Sequence, residues 1–438
     1  PRSVPAERVA PAGTPEMSIS RLSDPSVSVS AELMSSAMAV SSSPEAGVTP
    51  FESWTLPVDV EVMRRVFAAG GIFIGSDVRS IASLLHRYGA LACFDFAACA
   101  PYVDIDMNPQ PAFAGDDPSI DAIFISPHKF LGGPGSSGVL VFNERIYDRS
   151  LPPSVSAGGT VDYVGMNDQD FITRIEEREK AGTPGVLQTL KAGLVFQIKD
   201  AVGADVIQQR EHELTCRALS SWADNDNIEI LGNPDPESRV GIISFNIRDE
   251  SGKYLHHKLL TVLLNDLFGI QSRAGCSCAG PYGHSLLNID EQTSEKYRSA
   301  VREGHCGLKP GWCRVGLHWV MDDAEADYVI EAVHFLAREG HRFLSLYDFD
   351  LGSGTWKHKF VASELPKFSL EAALATEQVE AAMLTLPLRR QLYRHYLAEA
   401  GKIADRLTHE SPAKLASLGC ELADLQFFAL PTDERPKH

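Results

Sequence analysis

The chain has 438 residues, 44% apolar and 22% charged, which suits a protein of about two or three domains with a large core. Its formal net charge of −18 speaks against non-specific binding to nucleic acid or to an anionic membrane, both of which need a basic face. No apolar run approaches the length of a membrane span, and the eight cysteines form no small-domain disulfide framework, so a reducing, cytoplasmic setting is expected.

Residues 1–52 are rich in Ser, Pro, Ala and Val without a sustained period and read as disordered or as a linker. Their arginines and serines leave an organellar transit peptide open, while their acidic residues weigh against one. The first residue is Pro1 rather than Met, so the natural start is expected upstream. Order is expected from near Trp54. "IFIG" (72–75) predicts a strand. "DVRSIASLLHRYG" (77–89) predicts a helix, with Val78, Ile81, Leu84, Leu85 and Tyr88 at helical spacing, Asp77 as cap and Gly89 as stop. "ALACFDF" (90–96), "AIFIS" (122–126) and "GVLVF" (138–142) predict further strands. Strand, helix and strand with short links point to a parallel α/β sheet in a large domain over 53–202, whose ligands would sit at the carboxyl ends of strands, where Asp95 and Lys129 lie. Residues 183–222 predict a long helix broken near Gly203. A second α/β domain over 203–345 follows, with a strand "VGIISFNI" (240–247) and a helix "LHHKLLTVLLNDLFG" (255–269). Residues 346–438 read as an extension with an amphipathic helical tail, and no internal repeat is visible.

"SPHKFLGGPG" (126–135) places a lysine at the end of an apolar run, beside a histidine and ahead of a glycine-rich turn. A strand-end lysine most often reaches water along its apolar stem. The functional alternative is a Schiff-base lysine, whose amine must be unprotonated to attack a carbonyl; a partly buried position favours that form. Asp95, ending the apolar strand in "CFDFAACAP", is either an ordinary carboxylate bonding a loop or the partner of a pyridinium nitrogen.

"FDFAACAPYVDIDM", "IDAIFISPHKFLGGPGSSGVLVF", "AGGTVDYV" and "REKAGTPGVLQTLKAGL" follow one another in this order. From roughly Ile72 to Gly340 the chain resembles the class V aminotransferases, in the branch of the cysteine desulfurases and selenocysteine lyases. The resemblance implies fold-type I, with a mostly parallel sheet in an incomplete large domain and a smaller α/β C-terminal domain. It also implies pyridoxal 5'-phosphate as cofactor and a homodimer. Carried over residue by residue, Lys129 matches the Schiff-base lysine, Asp95 the aspartate facing the pyridine nitrogen, and Ser126 and His128 the phosphate-side contacts. Thr183 matches the residue that reaches the cofactor phosphate of the opposite subunit. Ala98 stands where many relatives carry a glutamine near the ring hydroxyl, so that contact is absent or replaced.

In "SRAGCSCAGPYGH" (272–284), Arg273, Gly275, Cys278 and Ala279 fit the desulfurase loop pattern, and Cys278 would be its nucleophile. Arg273 would be a cation able to favour its thiolate. Cys276 departs from the pattern and reads as a plain small residue. The competing reading is a metal site on Cys276, Cys278, Cys306, Cys313, His284 and His305; the spacing resembles no tight paired-ligand array, and no metal is expected. Arg314, in "GWCRVGLHWV" (311–320), matches the arginine that clamps the substrate carboxylate with two parallel bonds. The implied reaction removes sulfur, or selenium, from a cysteine-like amino acid through a persulfide on Cys278, with a sulfur-acceptor protein as a further partner. The alternatives are another class V reaction, of aminotransferase or kynureninase type, with Cys278 a bystander, and an inactive dimerising scaffold. Relatives build the phosphate cup and the ring-stacking group from the first half of the large domain. Here that half would lie upstream of about residue 70, where only low-complexity sequence is found. The chain therefore reads as a fragment, a faulty gene model or a degenerate scaffold, with weakened cofactor binding expected.

Overall fold

The structure is a computed structural model that describes residues 27–30, 77–249, 252–275, 280–360, 384–409, 417–419 and 422–431. The strand expected at 72–75, most of the head read as disordered, the cysteines at 276 and 278, and residues 361–383 of the tail lie outside the described residues. The described residues divide into two compact units, one of 27–30 and 77–201, the other running from Val202 onward.

The first unit has a four-stranded sheet of β1 (Val27–Ser30), β2 (Cys93–Asp95), β3 (Ala122–Ile125) and β4 (Val139–Asn143), in the order β1-β4-β3-β2. β1 falls inside the stretch read as disordered, and it pairs antiparallel to β4. Helix α1 (Val78–Arg87) forms where its periodicity predicts. Asp77 caps it by accepting from the Ser80 N–H at 3.1 Å, and Gly89 leaves it at φ +70°. The mostly parallel sheet expected from the sequence is corrected in one respect: among the described strands only β2 and β3 run parallel, while β3/β4 and β1/β4 are antiparallel. A parallel return needs a crossover helix, and residues 126–138 instead hold one 3-10 turn and a run of glycine turns that bring the chain straight back. A hairpin of β5 (Val161–Val164) and β6 (Gln169–Phe171), a short helix α2 (Ile175–Arg178) and the long helix α3 (Val186–Val202) complete the unit.

One network ties α1 to the sheet. Asp121 is wholly buried; it accepts from the Ala92 N–H at 2.8 Å, from His86 Nε2 at 2.9 Å, and from Arg145 Nε and Nη2 at 2.9 and 2.7 Å. A buried carboxylate is tolerable only when so satisfied.

Gly203, at φ +91°, ends α3 and precedes α4 (Ala204–Trp222), so the long helix breaks where the sequence places the break. The second unit has an antiparallel sheet in the order β7-β8-β10-β9, built from β7 (Ile228–Ile230), β8 (Ile242–Ile247), β9 (Arg273–Gly275) and β10 (Trp312–Gly316). Between these run α5 (His257–Phe268), α6 (Gly280–Leu286) and α7 (Glu291–Arg302), followed by α8 (Asp323–Glu339), a hairpin of β11 (Tyr347–Asp350) and β12 (Thr355–His358), and α9 (Leu386–His409). α5 ends at Gly269, which is left-handed. Ile243, Phe245, Ile247, Cys313 and Val315 turn one sheet face into a core shared with α4, α5 and α8. Tyr347, Trp356, Ala400, Ala404 and Phe428 are buried in that same core, so the sequence beyond residue 346 is part of the second unit's packing.

Candidate active site

In the first unit the parallel register Cys93↔Ala122, Phe94↔Ile123, Asp95↔Phe124 brings Asp95 and the turn carrying Lys129 to neighbouring carboxyl ends. β3 ends at Ile125. Ser126, which is buried, opens the 3-10 turn Pro127–Lys129, and its carbonyl accepts from the Lys129 N–H at 3.0 Å. The turn lifts the chain out of the sheet, so His128 and Lys129 are exposed although Pro127 and Phe130 on either side are buried. Lys129 thus has the exposure of a strand-end lysine reaching water, and not the partly buried position that would favour its neutral amine. Asp95 is also exposed, and its Oδ1 accepts from the Ala97 N–H at 2.7 Å, as a carboxylate bonding its own loop does. Gly133 cannot be replaced: a Cβ there would lie 2.0 Å from Pro127 O. In the next turn the Ser136 hydroxyl is buried without a hydrogen-bond partner.

Two residues that the sequence motifs do not single out sit here. Lys199 of α3 donates to Ala100 O at 2.7 Å and to Val103 O, and its ammonium lies 5.9 Å from the centre of the Phe130 ring. It thus holds the turn after Asp95 to the residue after Lys129. Burial depresses its pKa. Burial also pushes the Cys99 thiol up to about 11, against the lysine charges of Lys199 and Lys129 and together with that of Asp95. Cys99 is thus within charge reach of Asp95, Lys129 and Lys199. A signal was available: Lys199 continues the buried stripe of Ala192 and Val195 on α3, an apolar face where a lysine needs a reason. Thr183 is exposed, just ahead of α3. It follows Gly182, which is left-handed and donates to Gly158 O at 2.8 Å, joining the "AGG" and "AGTP" turns.

In the second unit Arg314 lies on β10, directly opposite Ser244 of β8 and Arg273 of β9. Paired residues share a sheet face, so Arg273 and Arg314 both lie on the face turned away from the core. Cys276, Cys278 and Ala279 follow β9 directly and lie outside the described residues. Among the described residues no cluster of His, Cys, Asp or Glu is arranged to hold a metal ion. No described helix is long and apolar enough to cross a membrane.

The layout is that of an α/β protein with its ionisable residues at strand ends, and comparison with known proteins assigns it. The family model described as aminotransferase class-V matches residues 69–329, more than half the chain. The chain belongs to the class V aminotransferase family, whose fold is fold-type I and whose members in general depend on pyridoxal phosphate. It is 31% identical over 205 residues to a probable cysteine desulfurase of Halalkalibacterium halodurans, covering 47% of this chain and 45% of that protein. It is 33% identical over 199 residues to a probable cysteine desulfurase of Staphylococcus aureus, covering 44% and 43%. The chain thus spans somewhat under half the length of these relatives. A solved cysteine desulfurase from Thermococcus onnurineus NA1 superposes with a TM-score of 0.48 at 22% identity, over 60% of this chain and 56% of that one.

Proposed function

We propose that this chain carries the catalytic residues of a pyridoxal-phosphate-dependent cysteine desulfurase acting as a homodimer. The observation that carries the reading is the parallel β2/β3 register, which sets a carboxylate and an amine at adjacent strand ends. The cofactor, when bound, supplies the carbonyl that condenses with amines and the electron sink for charge developing at Cα. The residues fit such a group: Lys129 offers the amine, Asp95 the carboxylate, and Ser136 a buried, unpartnered hydroxyl of the kind a phosphate takes up.

Asp95 holds a proton on the pyridine nitrogen. Lys129, exposed and at the mouth of the turn, takes the substrate's Cα proton and returns it. Ser126 and His128 serve the phosphate side, and Thr183 does so across the dimer. Arg314, with Arg273 beside it, binds the substrate carboxylate through parallel N–H bonds. The Cys278 thiolate would attack the sulfur of a cysteine-like substrate: the S–S bond forms as the C–S bond breaks, the bonding pair stays with Cβ, which takes up a proton, and alanine leaves a persulfide for a sulfur-acceptor protein to discharge. Borohydride reduction of the loaded protein followed by peptide mapping tests the core of this reading. The cofactor should be fixed to the peptide containing Lys129, and a label on another lysine would overturn the assignment.

A further inference from the structure

The outward face of the second unit's sheet holds an unusual set of polar atoms. Ser244 and Trp312 are both wholly buried there, yet Ser244 Oγ and Trp312 Nε1 have no hydrogen-bond partner. Leu231 and Trp312 form a small cluster apart from the main core, with Tyr282, Leu286 and Leu287 of the α6 region packed on it. The Leu231 N–H donates to Ser244 O at 2.9 Å, which ties Ser244 to the same place. Arg239, 8% exposed, joins it from the loop before β8 and acts electrostatically on Tyr282. Arg239 Nη1 donates to Asn233 O at 3.0 Å, but its Nε and Nη2 are buried and unpartnered.

Arg239 and the Trp312 indole can only donate, and a serine hydroxyl can also do so. The Ser244 hydroxyl is the one of the three that could also accept, and neither Arg239 nor Trp312 donates to it. A buried guanidinium without a counter-charge is costly, so the composition calls for an anion. The unfilled atoms of Arg239 are, moreover, the Nε–Nη2 edge, whose two N–H groups match the two oxygens of a planar oxyanion. In the first unit Arg145 turns that same edge to a carboxylate, both N–H groups reaching the Oδ1 of Asp121, at 2.9 and 2.7 Å.

We infer that Arg239, Trp312 and Ser244 form a binding site for a small oxyanion of the carboxylate class, held by the Nε–Nη2 edge of Arg239 and the indole N–H of Trp312. The site shares a sheet face with Arg314, which pairs directly with Ser244, but its proposed donors do not include Arg314 and it does not rest on the role assigned to that residue or on the cofactor. Its donors are closed to solvent, so entry requires the α6 region to yield. Gly283 there packs so closely that a Cβ would lie 3.2 Å from the Trp312 ring.

The chain has five tryptophans, so its indole N–H resonances can be followed individually, with Trp312→Phe assigning the one that matters. Titration of the full chain with sodium formate should displace the Trp312 indole signal saturably, while sodium chloride at equal ionic strength should not. Arg239→Lys, which lacks the fork, should weaken formate at least tenfold, and Arg314→Lys should leave the affinity within twofold. If Arg239→Lys does not fold, Trp312→Phe serves in its place: it removes the N–H together with one ring of the indole, and, measured against its own melting temperature without formate, it should reduce the thermal stabilisation by formate at least threefold. The inference is overturned by a response shared with chloride (an adventitious ion only), by absent saturation, by wild-type affinity in Arg239→Lys, by undiminished thermal stabilisation in Trp312→Phe, or by loss of binding in Arg314→Lys.

Discussion

Cys278 is where the proposed chemistry can be tested most directly. On the proposed mechanism, Cys278→Ser should leave cofactor absorbance intact and abolish release of alanine and sulfide from cysteine, because the thiol would act after the substrate has bound. Cys276→Ser should retain most of the activity. Equal turnover by wild type and Cys278→Ser would instead favour a transamination-type reaction. Glu211 of α4 makes a separate, physical prediction. Burial raises its carboxyl to about 7, against the Gly241 and Trp319 N–H groups that bond it. A carboxyl raised in the folded state binds a proton that the unfolded chain has released, so stability falls as pH rises from the ordinary value of 4.5 to about 7. Glu211→Gln should therefore raise the melting temperature relative to wild type at pH 8 and not at pH 4.5. Parallel melting curves for the two proteins would refute this.

At the scale of elements, the Asp121 cluster decides whether α1 stays on the sheet. For Asp121, burial would raise the carboxyl, but the bonds from His86, Ala92 and Arg145 outweigh it and hold it below 3.8. For His86, burial would lower the imidazole, but Asp121 and Asp117 outweigh it and hold it above 6.5. The signs differ. The Asp121 contribution is lost as pH falls through its depressed value, and the His86 contribution is lost as pH rises through its elevated one. Both are present together between 3.8 and 6.5. Asp121→Asn should cost about 3 kcal/mol, since it strips a buried pair of its charge, and should flatten the acid limb. Denaturant melts of the variant across pH would check both effects. The glycine turn after Lys129 is equally exacting. Even a single methyl on Gly133 would meet Pro127 O at 2.0 Å, so the position has no room for any side chain, and the turn that presents Lys129 depends on it.

For the whole molecule the open face of α3 is informative. Leu187, Leu190, Leu194 and Ile198 recur at helical spacing and are 77%, 60%, 58% and 41% exposed. A contiguous apolar ridge of this kind is uncommon on a free surface and fits the homodimer proposed above. Its position just after Thr183 fits a phosphate contact made across that dimer. Leu190→Glu with Leu194→Glu should shift the protein to monomer in sedimentation velocity and weaken cofactor binding, while circular dichroism stays unchanged. A dimer that survives both charges would place the interface elsewhere.

The sequence alone determined the parts of this protein that depend on local order. Asp77 and Gly89 bound α1, Gly203 breaks the long helix, and the apolar runs become β3, β4 and β8, because caps, left-handed glycines and hydrophobic period act over a few residues. The family was equally legible, since ordered motifs survive as strings. Only the tertiary structure decided the rest. Strand direction around β4 depended on whether residues 126–138 formed a crossover or a return, and apolar content is the same for both. Exposure of Lys129 followed from a 3-10 turn of three residues. Lys199 and Arg239 lie tens of residues or more from the groups they serve in the chain, so nothing in their local sequence pairs them with the Phe130 ring or with Trp312. Long-range packing, and the desolvation that comes with it, gives those side chains their meaning.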